Sequence, residues 1–121
     1  MAHLEKKKIF GDDRGSLIVI ENIPNFEIKR VFYIYDAKDV RGGHRHKKTN
    51  QVLICVKGSC DVYSCDGKIE QVFHLDSPEK LLFIDAIDWH EMFNFSDDAV
   101  LLVLSSELYD ADDYISKKYE L

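Results

Sequence analysis

Two histidines and four cations share the eight residues Arg41-Gly42-Gly43-His44-Arg45-His46-Lys47-Lys48, in a chain whose formal net charge is -6. In an extended strand, side chains at i and i+2 leave the same face. His44, His46 and Lys48 are therefore expected to point one way, with Arg45 and Lys47 pointing the other. Two imidazoles aimed together into a cavity can ligate a metal, move protons near neutral pH or grip an anion. The residues alone leave those three open.

Something rigid must hold the pair, and the rest of the chain reads as a succession of short strands. Segments rich in Val, Ile, Phe and Tyr cover 16–20, 29–35, 51–56, 60–64, 69–75, 81–84, 89–95 and 99–105. Turn chemistry separates them: Gly11-Asp12-Asp13-Arg14-Gly15, Asn22-Ile23-Pro24-Asn25, Lys57-Gly58-Ser59, and Asp66-Gly67, which predicts a two-residue hairpin. About nine evenly spaced strands without a long amphipathic helix predict an all-β fold, a cupin-type jelly-roll β-barrel. Only the tail, 110–118, reads as helical, with acids before bases as the helix dipole prefers. That tail and the isolated Ile9-Phe10 are too apolar to stay solvated. Pairing with a second copy, which also covers an exposed edge, predicts a homodimer.

At 121 residues, 45% hydrophobic and 31% charged, the chain is expected to be a single domain, 1–121, with one core. No apolar run approaches the ~20 residues needed to span a bilayer, so no membrane partner is expected. The start, Met1-Ala2-His3-Leu4-Glu5, lacks the apolar stretch of a signal peptide. Cys55, Cys60 and Cys65 fit no zinc spacing; an odd count without export signals reads as reduced thiols in the cytoplasm. An isoelectric point near 5.3 argues against nucleic acid. The cations at 41–48 make a positive spot on a negative body, suited to a small anion.

Six motifs in order carry a resemblance: Lys29 to Ile34, Arg41 to Lys48, Gln51 to Ser59, Leu75 to Pro78, Trp89 to Met92 and Tyr109 to Ile115. Together they resemble the cupin-fold sugar 3,4-ketoisomerases acting on dTDP-4-keto-6-deoxyglucose, over nearly the whole chain from Arg14 onward. The resemblance implies a cupin fold, a homodimer with exchanged N-terminal strands, no cofactor and no metal. Metal cupins carry a Glu set off from His-x-His by three or four residues; Asn50 and Gln51 stand at those places. A three-histidine metal site of His44, His46 and His90 remains an alternative.

The implied reaction moves a carbonyl from C4 to C3 through an enediol. By resemblance, His44 is the base, and His46 handles a hydroxyl proton or polarises the carbonyl. An imidazole with an unperturbed pKa of ~6.5 can take and return a proton near neutrality. Arg14 and His90 resemble the branch whose product is dTDP-3-keto-6-deoxygalactose, a precursor of 3-amino-3,6-dideoxy sugars. Arg30, Arg41 and Lys48 are expected to hold the diphosphate, and Tyr33 to wall the thymine. The family carries two tyrosines after Arg-Val, whereas Phe32 precedes Tyr33 here. Plainer readings are a disordered His3, a structural His74, a core Trp89, and Asp110, Asp112 and Asp113 as a solvated face or helix cap. Arg30 could instead pair with Asp36 or Glu27, and Glu91 could orient His90 or face water. The rival functions are a non-catalytic nucleotide-sugar binding cupin, a metal-dependent cupin enzyme and a nucleotide-sugar 3,5-epimerase.

Overall fold

A computed structural model describes residues 1–121. The strands are β1 (His3–Lys6), β2 (Phe10–Asp12), β3 (Gly15–Leu17), β4 (Arg30–Tyr35), β5 (Arg41–His46) and β6 (Gln51–Lys57). They continue as β7 (Cys60–Cys65), β8 (Glu70–Leu75), β9 (Lys80–Ile84), β10 (Trp89–Phe93), β11 (Val100–Ser105) and β12 (Tyr114–Ile115). One antiparallel sheet has the order β1-β9-β6-β11-β4, the other β12-β5-β10-β7-β8, and β2 and β3 form a separate hairpin.

The two sheets face each other across the main core. Leu53 and Cys55 of β6, Leu82 of β9, and Leu101 and Val103 of β11 pack with Cys60 and Val62 of β7, Leu75 of β8 and Met92 of β10. This is the double-sheet antiparallel arrangement of a jelly roll. The fold is all-β as expected, but the sheets stay separate ladders and do not close into a barrel. All three cysteines are buried free thiols, in keeping with strand packing.

Alternation along β4 sends Arg30, Phe32 and Ile34 toward the interior and Val31, Tyr33 and Tyr35 outward. The central strand β6 is covered on both faces. Its Leu53 and Cys55 enter the main core, while Val52 and Ile54 join Ile23, Leu81 and Leu104 in a second cluster. Ile20 and Phe26, from the segment before β4, pack on that cluster from outside.

Three expectations are corrected. The tail is a 3-10 turn, Ala111–Asp113, followed by β12, which pairs with β5. An isolated helix that short is marginal in water, and Asp113 is drawn inward by amide groups of the turn after β5. The Asp66-Gly67 hairpin has a four-residue loop: Cys65 pairs with Glu70 across it, and Asp66 Oδ1 accepts from the Lys68 and Ile69 amides at 2.9 Å each. His3 is ordered within β1, stacked on Phe83 at 4.8 Å.

Because Leu101 is completely buried where the sheets meet, Leu101→Ala should cost about 2–5 kcal/mol. Val72→Ala, on the open face of β8, should stay within about 0.5 kcal/mol. Urea unfolding of both variants checks this.

Candidate active site

The pairing of three strands brings the histidines together. In β5, Gly42 and Gly43 take left-handed φ values of 81° and 79°. A Cβ on Gly42 would lie 2.9 Å from the His90 carbonyl oxygen and 3.1 Å from Met92 Sδ. The missing side chain lets β5 run close against β10. In that register His44 sits opposite His90, and β12 sets Tyr114 opposite His46. Ring centroids then lie at 5.0 Å for His44–His46, 4.9 Å for His44–His90 and 4.7 Å for His44–Tyr114.

A cavity of about 250 Å³ opens between the sheets beside this cluster. Arg30, Phe32, Ile34, Gln51 and Val103 line it from one sheet; Arg41, His44, His90, Met92 and Tyr114 line it from the other. Arg30 lies over the Phe32 ring at 4.6 Å and the Tyr109 ring at 5.3 Å. It makes no ion pair with Asp36 or Glu27. Its guanidinium therefore remains available to an anion.

Behind His44, His46 is buried, and its Nδ1 lies 2.9 Å from Asp113 Oδ2. The Asp113 carboxylate also accepts from the Thr49 hydroxyl, from the Lys47 amide at 3.1 Å and from the Lys48 amide at 2.8 Å. Burial acts to raise its pKa, but the bonds from Thr49, Lys48 and His46 outweigh that and hold it below the usual value. An ionised Asp113 takes the Nδ1 proton of His46 in a hydrogen bond and leaves Nε2 as the free lone pair. That Nε2 is buried and has no partner.

All three imidazoles are held neutral near pH 7. Burial, then His46, pushes His44 down to about 4. Burial, then His44, pushes His90 down to about 3. Burial also lowers His46, against the pull of Asp113. A neutral imidazole on a cavity wall can accept a proton from carbon, and two guanidiniums in the same cavity can carry a diphosphate or a developing oxyanion.

The sequence-derived residues divide into two groups. His44, His90, Arg30 and Arg41 meet on the cavity wall, with His46 directly behind. Arg14, Tyr33 and Lys48 lie elsewhere in this chain. Arg14 is 87% exposed on the β2–β3 hairpin, where it pairs with Asp12 at 2.6 Å. Lys48 lies past the end of β5 and reaches Asp110 at 3.3 Å, so it does not continue the line of His44 and His46. Tyr33 is on the outer face of β4, beside Tyr35. An offset of three from Arg30 puts the two on opposite faces of a strand, and Phe32 takes the inward place.

Asp113, Thr49 and Tyr114 are the residues that sequence reasoning missed. Asp113 and Tyr114 fall in the motif Tyr109 to Ile115, but three acids within four residues read as a solvated face or a cap. Only Asp110 acts as a cap, accepting from the Asp112 amide. Glu91 accepts from the Trp89 indole at 2.8 Å, while His90 Nδ1 lies 3.2 Å from the Asp88 carbonyl oxygen. His74 pairs with Asp61 at 2.6 Å on the surface.

Comparison with known proteins follows the same line. The family model described as FdtA: WxcM-like, C-terminal, matches residues 1–121. The TDP-4-oxo-6-deoxy-alpha-D-glucose-3,4-oxoisomerase of Aneurinibacillus thermoaerophilus is 54% identical over 114 residues, which is 90% of this chain and 81% of that protein. The chain belongs to the sugar 3,4-ketoisomerases. A 3,4-ketoisomerase from Helicobacter canadensis superposes with a TM-score of 0.90 at 45% identity, covering 96% of this chain and 90% of that one. A point mutant of QdtA from Thermoanaerobacterium thermosaccharolyticum, in complex with TDP-4-keto-6-deoxyglucose, gives 0.90 at 42%, covering 96% and 87%.

The lowered pKa values of His44 and His90 predict that this ketoisomerase loses stability in acid. The unfolded chain, with histidines near 6.5, binds more protons than the folded one wherever the folded values are lower. Their contribution to stability is whole above pH 6.5 and is lost as pH falls toward 4 for His44 and 3 for His90. Urea midpoints should drop between about pH 7.5 and about pH 5, and His90→Gln should make the drop shallower.

Proposed function

We propose that the chain converts dTDP-4-keto-6-deoxyglucose to dTDP-3-keto-6-deoxygalactose, with His44 as the carbon base. The observation that carries this reading is a neutral His44 on the cavity wall, edge-on to His90, with Arg30 and Arg41 in the same cavity. His44 removes the C3 proton, the C4 oxygen gains a proton, and an enediol forms. Loss of the C3 hydroxyl proton and return of a proton to C4 complete the transfer without an external oxidant. Arg30 and Arg41 offer forked donors to the diphosphate. No bound cofactor enters these steps. The bound nucleotide sugar in the QdtA complex supports the ligand class.

The N-terminal hairpin supports a homodimer. Phe10 and Leu17 on it are 48% and 57% exposed, and it pairs with neither large sheet. Exchange between two copies would cover those side chains and carry Arg14 to the partner's cavity. With His90 already on the wall, Arg14 would then help decide the face on which C4 is protonated. We assign the product to the precursor step of a 3-amino-3,6-dideoxy sugar, in the cytoplasm. No helix is long and apolar enough to cross a membrane.

Incubation with the 4-keto nucleotide sugar in D₂O, read by NMR, tests the reaction. Deuterium should enter at C3 or C4 as the 3-keto product forms. His44→Asn should lower turnover by roughly 10²–10⁴ with little change in TDP binding. Unchanged substrate with no deuterium entry would leave a binding protein, and exchange at C5 would indicate an epimerase. The double change Arg14→Tyr with His90→Arg should redirect the product toward the gluco configuration. Retained galacto product would overturn the stereochemical assignment.

A further inference from the structure

The buried Nε2 of His46 has no partner in the resting protein, and a buried polar atom left unpaired calls for an explanation. Its surroundings supply one. A ring nitrogen from each of His44, His46 and His90 lies within 4.8 Å of the other two. Two of the rings have an acceptor at Nδ1: the Asp113 carboxylate lies 2.9 Å from His46 Nδ1, and the Asp88 carbonyl oxygen lies 3.2 Å from His90 Nδ1. With those Nδ1 protons engaged, the Nε2 lone pairs of His46 and His90 are left free, and the His44 ring stands beside both.

Metal-binding histidines are supported in this same way, by an outer acceptor that fixes the tautomer and raises ligand basicity. We propose that the His44–His46–His90 cluster binds zinc or a similar borderline transition-metal ion, and that this ion and the sugar nucleotide exclude one another. The metal acts as an inhibitor and not as a cofactor, since occupying the lone pair of His44 removes the base. The exclusion rests on the function proposed above; the metal site itself does not.

Imidazole donors select zinc, copper, nickel and cobalt over magnesium or calcium, which prefer oxygen. Magnesium accompanying a nucleoside diphosphate would therefore leave the cluster alone. Two nitrogens at 2.0–2.1 Å on a tetrahedron are roughly 3.4 Å apart, so nitrogens now as much as 4.8 Å apart must close by up to about 1.4 Å. His44 is the least buried of the three, and it follows Gly43, around which there is open space. Charge works in both directions. Arg30 and Arg41 oppose a cation from the same cavity, while the ionised Asp113 favours one through His46. Lys48 is occupied with Asp110 outside the cavity.

The test titrates EDTA-stripped full-length protein with cobalt(II) and follows the visible absorption that tetrahedral coordination produces. One cobalt per chain is expected, displaced by zinc, with TDP weakening its apparent affinity. Asp113→Asn should weaken binding about 10–100-fold, and His74→Asn, at a surface ion pair, should leave it unchanged. No tetrahedral signal at millimolar cobalt, or the same affinity in His46→Gln and His90→Gln, would overturn the site. Should those variants not fold, imidazole ¹⁵N NMR of the wild type decides. Zinc must move the resonances of the three clustered rings and leave those of His3 and His74; the reverse pattern overturns the proposal. Full turnover at saturating zinc would overturn the exclusion alone. A stripped protein that binds cobalt but never turns over would instead overturn the ketoisomerase reading.

Discussion

The Asp113 carboxylate is the interaction on which the site depends. A buried carboxylate is strongly disfavoured unless its oxygens are satisfied, and here four donors converge on it: the Thr49 hydroxyl, the Lys47 and Lys48 amides and the His46 ring. Those bonds hold the C-terminal segment against the end of β5. They place Tyr114 beside His44 and His46 and set the tautomer of His46. One side chain therefore links the last elements of the chain to the histidine strand.

Around that tie, burial governs the electrostatics. The rings of His44, His46 and His90 crowd one another in a low-dielectric gap, and no more than a small fraction can be charged near neutrality. The cavity is thus basic in the sense of offering lone pairs, while its positive charge comes from Arg30 and Arg41. Separating proton acceptors from fixed cations suits a reaction that removes a proton from carbon and leaves negative charge on oxygen. The same collection of lone pairs is what a transition-metal ion would seek.

The β2–β3 hairpin stands apart from this core. Its apolar side chains face outward, and its one arginine pairs only with a neighbour two residues away. Tyr33 and Tyr35 likewise stand on an outer sheet face with Val31. These are surfaces that a second copy of the chain could cover, and the reading of Arg14 as a site residue depends on that second copy.

Much was legible without coordinates because it rests on local rules. Short runs of branched and aromatic residues between turn clusters specify strands, and the i, i+2 spacing puts His44 and His46 on one face. The same parity, applied to β4, would have excluded Tyr33 once Arg30 was placed inside. The order of six motifs was enough for the family. Tertiary structure decided what depends on pairings distant in sequence. It drew the tail out of a helix and into β12, because Asp113 meets amides some sixty-five residues earlier. It set His90 opposite His44, and it buried His46 behind the cavity wall. Burial and cross-strand register are properties of the assembled sheets, so no local pattern of residue types could reveal which acid in an acidic tail would be the one turned inward.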